Sequence, residues 1–396
     1  MPDFSSSRRE FLHLAGLGLA SWPLRAARAA RRQRGGSLLV YVGTYAPSGA
    51  DSVFLFRLDP KTGALTRLLA HSAGDRPSFL ALSADRRFLY TANEVNEYQG
   101  APTGFVSAFA IDQRTGGLTA LNQQPSGGGS PCYVSLAGSG RAALVANYGG
   151  GSVSLLPVTA NGTLQPPAAT RRHRGAGPNP DRQTAPHAHC IIPDPAGRFA
   201  FAADLGTDQV LGYRLDAPTD PLMLLPQPAF TARPGAGPRH LTLHPTGRWA
   251  YLVNELTSSI TALAYDAQAG TFREMHTVAA LPAGFAGANT CADIHVHPNG
   301  RFVYASNRGH DSIVVLAVDA GTGRLTVVQH QSTQGQTPRN FGLDPSGTVL
   351  LVANQKSDTL VSFFVNAKTG RLTPTGRSAE VPAPVCVQVV PDFITG

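Results

Sequence analysis

A unit of about 50 residues is written seven times along this 396-residue chain, and a repeat of that length restricts the chain to stacked or radial arrays. The clearest copies are Pro238-Arg239-His240-Leu241-Thr242-Leu243-His244-Pro245, leading through Gly247-Arg248 to Asn254-Glu255, and Thr337-Pro338-Arg339-Asn340, leading through Asp344-Pro345 and Gly347 to Asn354-Gln355. A third runs from Cys291 through Asp293, His295 and His297-Pro298 to Asn307-Arg308. Earlier copies open at Pro77, Pro131 and Pro186, whereas the first enters at Leu38 and lacks its opening segment. An asparagine closes the second segment of each copy at 93, 147, 254, 307 and 354, with Asp204 in that place in the fourth.

Each copy divides into four extended runs. The first alternates, Leu241 and Leu243 against Thr242 and His244, and ends in a Pro-x-Gly turn. The second is apolar and aromatic, and the last two are joined by turns such as Lys61-Thr62-Gly63 and Gly321-Thr322-Gly323. Period-two patterning, β-branched residues and Gly/Pro punctuation specify strands, and no helical period follows residue 35. Four strands repeated radially is the propeller plan. The expected fold is therefore all-β, a seven-bladed β-propeller over residues 35–396. The unpaired C-terminal run from Pro384 to Pro391 supplies the strand that the first blade lacks and closes the ring.

The first 34 residues read differently. Arg8-Arg9 precede a short apolar run from Leu14 to Ala20, and Ala27-Arg28-Ala29 offers a small-residue cleavage site. This is the pattern of a twin-arginine signal peptide followed by a basic linker. It implies the twin-arginine export machinery as a partner of the precursor, and a periplasmic or secreted protein. The run is too short to span a bilayer, and no later segment is long enough. Of the formal charge of +8, this leader carries seven arginines against Asp3 and Glu10, leaving the body only about +3. That is too little to argue for nucleic acid or an anionic membrane as partner. A local basic run, Arg171-Arg172-His173-Arg174, lies in the connection between the third and fourth copies and is a candidate lid. The four cysteines (132, 190, 291, 386) fall in four different opening strands, at no spacing of a metal site. Buried free thiols are expected there, although export would permit disulfides.

Setting the copies in register locates a site. Counted from the opening proline, the next position holds Ser78, Cys132, His187, Arg239, Ala292, Arg339 and Val385; the one after holds Phe79, Tyr133, Ala188, His240, Asp293, Asn340 and Cys386. First strands are innermost in a propeller, so these positions ring one mouth of the channel. Second strands return to the same mouth at Asn93-Glu94, Asn147-Tyr148, Asp204-Leu205, Asn254-Glu255, Asn307-Arg308 and Asn354-Gln355. Where the repeat departs from its own consensus with charge, at His187, Arg239, His240, Glu255, Asp293, Arg308 and Arg339, chemistry is the better explanation. Guanidinium groups suit an anion or a developing oxyanion, and His187 with Glu255 is a natural proton-transfer pair. The asparagine ring reads mainly as loop anchoring. His244 and His297 read as ordinary strand residues. His187-x-His189 and His295-x-His297 each place two imidazoles on one strand face, but no third ligand is evident, so no metal and no cofactor is expected.

Gly237-Pro238-Arg239-His240, Val253-Asn254-Glu255-Leu256, Ala292-Asp293-Ile294-His295, Ser306-Asn307-Arg308, Thr337-Pro338-Arg339 and Ala146-Asn147-Tyr148-Gly149-Gly150-Gly151-Ser152 resemble the seven-bladed propeller lactonases. That family includes 6-phosphogluconolactonases and 3-carboxy-cis,cis-muconate lactonizing enzymes. The resemblance spans Val40 to Val390. It implies metal-independent opening or closing of a lactone ring, with a catalytic set falling on His187, Arg239, Glu255 and Arg308. His187 would serve as base and the arginines would bind the anion and oxyanion. Glu255 would orient an arginine or return a proton, and the roles of His187 and Glu255 are interchangeable at this stage. His189, His240, Asp293, His295, Arg339 and Asn147 are expected to contact the substrate. That substrate is expected to be a small lactone, anionic or sugar-derived, and export favours an unphosphorylated or carboxylated one. The other readings are a carboxymuconate-type lactonizing cycloisomerase and a non-catalytic exported propeller that binds a ligand.

Overall fold

The computed structural model describes residues 36–394; the twin-arginine leader expected over residues 1–34 lies outside them. The strands form seven antiparallel sheets, the blades of a β-propeller. The C-terminal strand Pro384–Pro391 joins the first sheet, beside Leu38–Thr44, with Val389 opposite Val40 and Val387 opposite Val42. Asp392, just beyond, is held by Ser37 Oγ at 2.6 Å and Arg57 Nε at 2.8 Å, so both ends of the ring share one clasp. Among the described residues the only helical turns are Gly138–Gly140 and Gln355–Ser357, and no helix is long and apolar enough to cross a membrane.

Burial explains the pattern of each strand. Second strands such as Trp249–Asn254 and Val349–Asn354 are buried along their whole length, and so read as continuous apolar runs. Outermost strands such as Leu65–His71 are only half-buried or exposed along their length, because they lie at the solvent edge of the blade. The core is a set of seven apolar layers, each joining two neighbouring blades. One sets Tyr251 and Val253 against Ile294 and Val303, and another closes the ring by setting Val40 and Phe54 against Leu351 and Leu360. Truncating one of these side chains to alanine costs about 2–5 kcal/mol, because the layer cannot collapse around the void.

Polar ties repeat with the blades. Tyr41, Tyr90, Tyr251 and Tyr304 sit on second strands and donate to the carbonyls of Gly116, Gly162, Gly323 and Gly370, each in the following blade, at 2.8 to 3.1 Å. His244 and His297 tie neighbouring blades on the same face, to the carbonyls of Gly300 and Gly347, and are structural as expected. The strand-end asparagines anchor the connections that enter their blades: Asn93 donates to Ala73 O, Asn147 to Ser126 O, Asn307 to Ala280 O and Asn354 to Thr333 O. The fourth blade departs from four simple strands. Its outer edge is split into Met223–Leu224 and Phe230–Thr231, because Pro218, Pro221, Pro226 and Pro228 remove the donors that a continuous strand needs.

Candidate active site

A β-bulge at one fixed place builds the site. In five blades the ladder skips one residue directly after the first pair of the innermost strand, leaving Ser78, Cys132, His189, Arg239 and Arg339 unpaired. The sixth blade skips Ala292 and Asp293, and the clasp strand skips Val385. A bulged residue is released from the pleat and re-aimed, here toward the channel mouth. The second strand delivers the other ring. The N–H groups of Glu94, Tyr148 and Glu255 donate to the carbonyls of Arg76, Ser130 and Gly237, which pins their side chains at that mouth.

This register corrects the placement of His187. Leu205 N donates to His187 O just as Glu255 N does to Gly237 O, so His187 matches Gly237, the residue before the strand, and His189 matches Arg239. The innermost strand of this blade opens at Ala188, two residues beyond Pro186, because Asp204 replaces the usual asparagine and accepts the His187 N–H at 2.9 Å. His187 stands on the rim, its ring stacked on Tyr148 at 4.5 Å and its Nδ1 3.0 Å from Tyr148 O. His189 is buried in the cavity wall.

The cavity at the mouth has a volume of about 280 Å3 and holds four guanidinium groups (Arg182, Arg239, Arg308, Arg339) against two carboxylates (Glu94, Glu255). Glu255 is the hub. One oxygen accepts Arg182 at 2.7 Å, and the other meets Arg239 and, at 3.1 Å, Arg308. Burial pushes the Glu255 carboxyl up, but Arg239, then Arg308, with His189 and Arg182, outweigh it and hold it well below the usual range. Glu255 is therefore fixed as a carboxylate, which suits it to orienting arginines and not to returning a proton. Burial, then Arg239, push the Arg308 guanidinium down to about 9 against the pull of Glu255, so it is still charged at neutral pH. Arg339 differs: it lies 5.1 Å above the Tyr45 ring and forms no ion pair among the described residues. Burial opposes its charge, but Tyr45 and Glu94 outweigh burial and keep it protonated. Burial first, then Arg239 and His240, hold His189 well below the ordinary imidazole value, so it is neutral at pH 7. Cys132 also lines the wall, but burial pushes its thiol up and leaves it without nucleophilic thiolate. All four cysteines are buried and free.

Toward the channel axis lies a second group. Asp293 accepts His240 Nδ1 at 2.8 Å, His295 Nε2 at 2.8 Å, Asn340 Nδ2 at 2.6 Å and the N–H groups of Ile294 and Phe341. It serves imidazoles, not arginines. His295 and Asn147, expected to contact substrate, do not line the cavity, since the first is held by Asp293 and the second by Ser126 O and Ser152 Oγ. The paired imidazoles diverge in the same way, each ring having its own partner. Among the described residues no three His, Cys, Asp or Glu side chains group as a metal site requires.

The sequence reading missed Arg182. It sits in the long connection between the third and fourth blades, outside the repeat, so no register could place it. That connection is tied down: Asn179 Oδ1 accepts the N–H groups of Asp181 and Arg182, and Gln183 Nε2 donates to Leu205 O and Asp208 Oδ1. The basic run expected as a lid is anchored elsewhere. Arg171 and Arg172 belong to the blade's outer strand, Arg171 pairs with Asp220 at 2.6 Å, and His173 is buried between Asp204 and Tyr213.

The chain belongs to the seven-bladed propeller lactonases: residues 39–389 match the family model described as lactonase, 7-bladed beta-propeller. It is 38% identical to the 6-phosphogluconolactonase of Bacillus subtilis, over 77% of this chain and 84% of that protein. It is 32% identical to the 6-phosphogluconolactonase of Formosa agariphila, over 77% and 86%. Among solved structures it is similar to the periplasmic gluconolactonase PpgL of Pseudomonas aeruginosa, with 33% identity and a TM-score of 0.84, over 90% of this chain and 99% of that one. These relatives support a lactone hydrolase.

Proposed function

We propose that this protein is an exported hydrolase that opens an unphosphorylated or carboxylated sugar lactone, using only its own side chains. One observation carries the reading: four guanidinium groups converge on one cavity with two carboxylates and a neutral, buried imidazole. Attack of water on a lactone carbonyl creates an oxyanion, and ring opening creates a carboxylate, so an excess of positive charge favours both the transition state and the product. Arg239 and Arg308, oriented by Glu255, stabilise the oxyanion. Arg339, with no carboxylate partner, receives an anionic substituent or the nascent carboxylate. His189 occupies the wall position and protonation state that suit a base that accepts the proton of the attacking water and returns it to the ring oxygen as the C–O bond breaks.

Export is supported by the Arg8-Arg9 leader and by the likeness to a periplasmic gluconolactonase. In this reading the leader is cut off after the Ala27-Arg28-Ala29 site and the propeller works outside the cytoplasm, where a plain aldonolactone is a more accessible substrate than a sugar phosphate. Two measurements test it. Hydrolysis of gluconolactone and of 6-phosphogluconolactone is compared at equal concentration, and a strong preference for the phosphorylated form would sink the substrate assignment. Fractionation of cells making the full chain is expected to find it in the periplasm, and to find it in the cytoplasm when Arg8 and Arg9 are both changed to lysine.

A further inference from the structure

Below the cavity the channel narrows to a niche of about 10 Å3, whose walls include Ser78, Arg239, His240, Arg339 and Asn340. Glu94, Cys132, His189, Arg239 and Arg339 line both spaces, so the niche continues the cavity inward. A water molecule needs roughly 10–15 Å3 and two to four polar partners. Three atoms of these wall residues, Ser78 Oγ, Arg239 Nε and His240 Nε2, are buried with no hydrogen-bond partner among the described residues. Ser78, Arg239 and His240 are only 4%, 3% and 5% exposed. An orphaned buried polar group is costly, so three lining one niche point to a ligand that satisfies them together.

Their chemistry is complementary. Arg239 Nε–H only donates. His240 Nδ1 faces the Asp293 carboxylate at 2.8 Å, which puts the ring proton on Nδ1 and leaves Nε2 as an acceptor. The Ser78 hydroxyl serves either way. A water accepting from Arg239, donating to His240 and bonding Ser78 meets all three needs.

We propose that this niche is a water site built into the active centre, and that His240, fixed by Asp293, positions Arg239 through that water. The proposal rests on the functional reading above, in which Arg239 meets the oxyanion. Arg239 is tied to Glu255 through Nη1 alone. A water on Nε holds the guanidinium at a second point and fixes its plane, while Asp293, itself held by five donors, fixes the imidazole. His240 is thus a positioning residue, not a catalytic one.

The test combines high-resolution crystal structures without lactone and kinetics of three proteins. The wild type is expected to show a water within hydrogen-bond distance of Ser78 Oγ, Arg239 Nε and His240 Nε2. His240→Asn keeps a donor for Asp293 but has nothing in place of Nε2; it is expected to lose the water, displace Arg239 and lower kcat on the order of 10-fold or more, with KM little changed. His240→Gln carries an amide where Nε2 was, and is expected to keep the water and most of kcat. A niche without density in the wild type, or an H240N enzyme with unchanged Arg239 and full kcat, would overturn the proposal. So would an H240Q enzyme as impaired as H240N with its water in place, since that would make His240 a proton carrier. The crystallographic arm needs no substrate, so it decides the niche even if no lactone is turned over, a result that would instead refute the functional reading.

Discussion

Arg182 and Glu255 meet at 2.7 Å, Nη2 to Oε1, across 73 residues of sequence. The contact brings a non-repetitive connection into a site otherwise built from repeat positions, and completes the set of three guanidiniums around one carboxylate. The charge of the mouth is therefore organised by Glu255, and Arg339 is the guanidinium it leaves without an ion pair among the described residues.

Replacing Glu255 by glutamine tests that organisation. The isostere leaves Arg239 and Arg308 buried beside a neutral amide, which costs about 3–5 kcal/mol of stability, the usual penalty for stranding a buried charge. Chemical denaturation is expected to show that loss, and kcat/KM is expected to fall on the order of 100-fold as the arginines reorient. Wild-type kcat/KM in E255Q would show that the hub is dispensable.

Arg182 is expected to behave differently from Arg239. Its side chain is 37% exposed, so its ion pair is partly screened and worth at most about 1 kcal/mol. Arg182→Met is expected to leave stability nearly unchanged and to raise KM several-fold with kcat within a few-fold of wild type, because it removes a wall of the cavity and one tether of Glu255. Steady-state kinetics read the split directly.

The imidazoles around Asp293, with His189, set a pH dependence. Burial, against the pull of Asp293, brings His240 down to about 4, below its ordinary value of about 6.5. Between these values the unfolded chain holds a proton that the folded chain refuses. The contribution of His240 is thus full above about pH 6.5 and lost as pH falls toward 4, a change of roughly 3 kcal/mol. His295 works the other way: burial lowers it, but Asp293 outweighs burial and raises it, so its contribution is full below its unfolded value and lost as pH climbs through the raised one. Urea unfolding at pH 7, 5.5 and 4 is expected to show falling stability, with a shallower fall in H240N. With His189 also depressed, the acid limb of kcat/KM is expected below pH 6.5; a limb at or above 6.5 would exclude it as the base.

The inter-blade tyrosines give a control remote from the site. Tyr251 is fully buried and donates to Gly323 O at 3.1 Å, so Tyr251→Phe strands that carbonyl at a cost of about 1–3 kcal/mol. Melting temperature is expected to drop while kcat and KM stay unchanged. A parallel loss of kcat would mean that the ring transmits strain to its mouth.

The fold was legible because a propeller states its plan seven times. Pro-x-Gly turns, strand-end asparagines and the unpaired Pro384–Pro391 strand each report one local requirement, and together they give the blades and the closure. Arg239, Glu255, Arg308 and Arg339 were legible as departures from that background. His187 and His189 were confused because register was counted from a proline, whereas pairing begins two residues later in the one blade where aspartate replaces asparagine. Arg182 had no register to be read in. Asn147 belongs to the strand-end asparagine ring and His295 to an innermost strand, and both spend their polar atoms inside the scaffold, which only the hydrogen-bond partners reveal.

The central claim is that the arginines at this mouth drive the opening of a lactone ring. Its most direct test is the rate of gluconolactone ring opening, followed by acid release, with wild-type protein and with Arg239→Met checked for an unchanged fold. The wild type is expected to accelerate the reaction well above the spontaneous rate, and R239M to lose on the order of 10²–10³ of that kcat/KM. No acceleration of plain, phosphorylated or carboxylated lactones by the wild type, or full activity in R239M, would contradict the account.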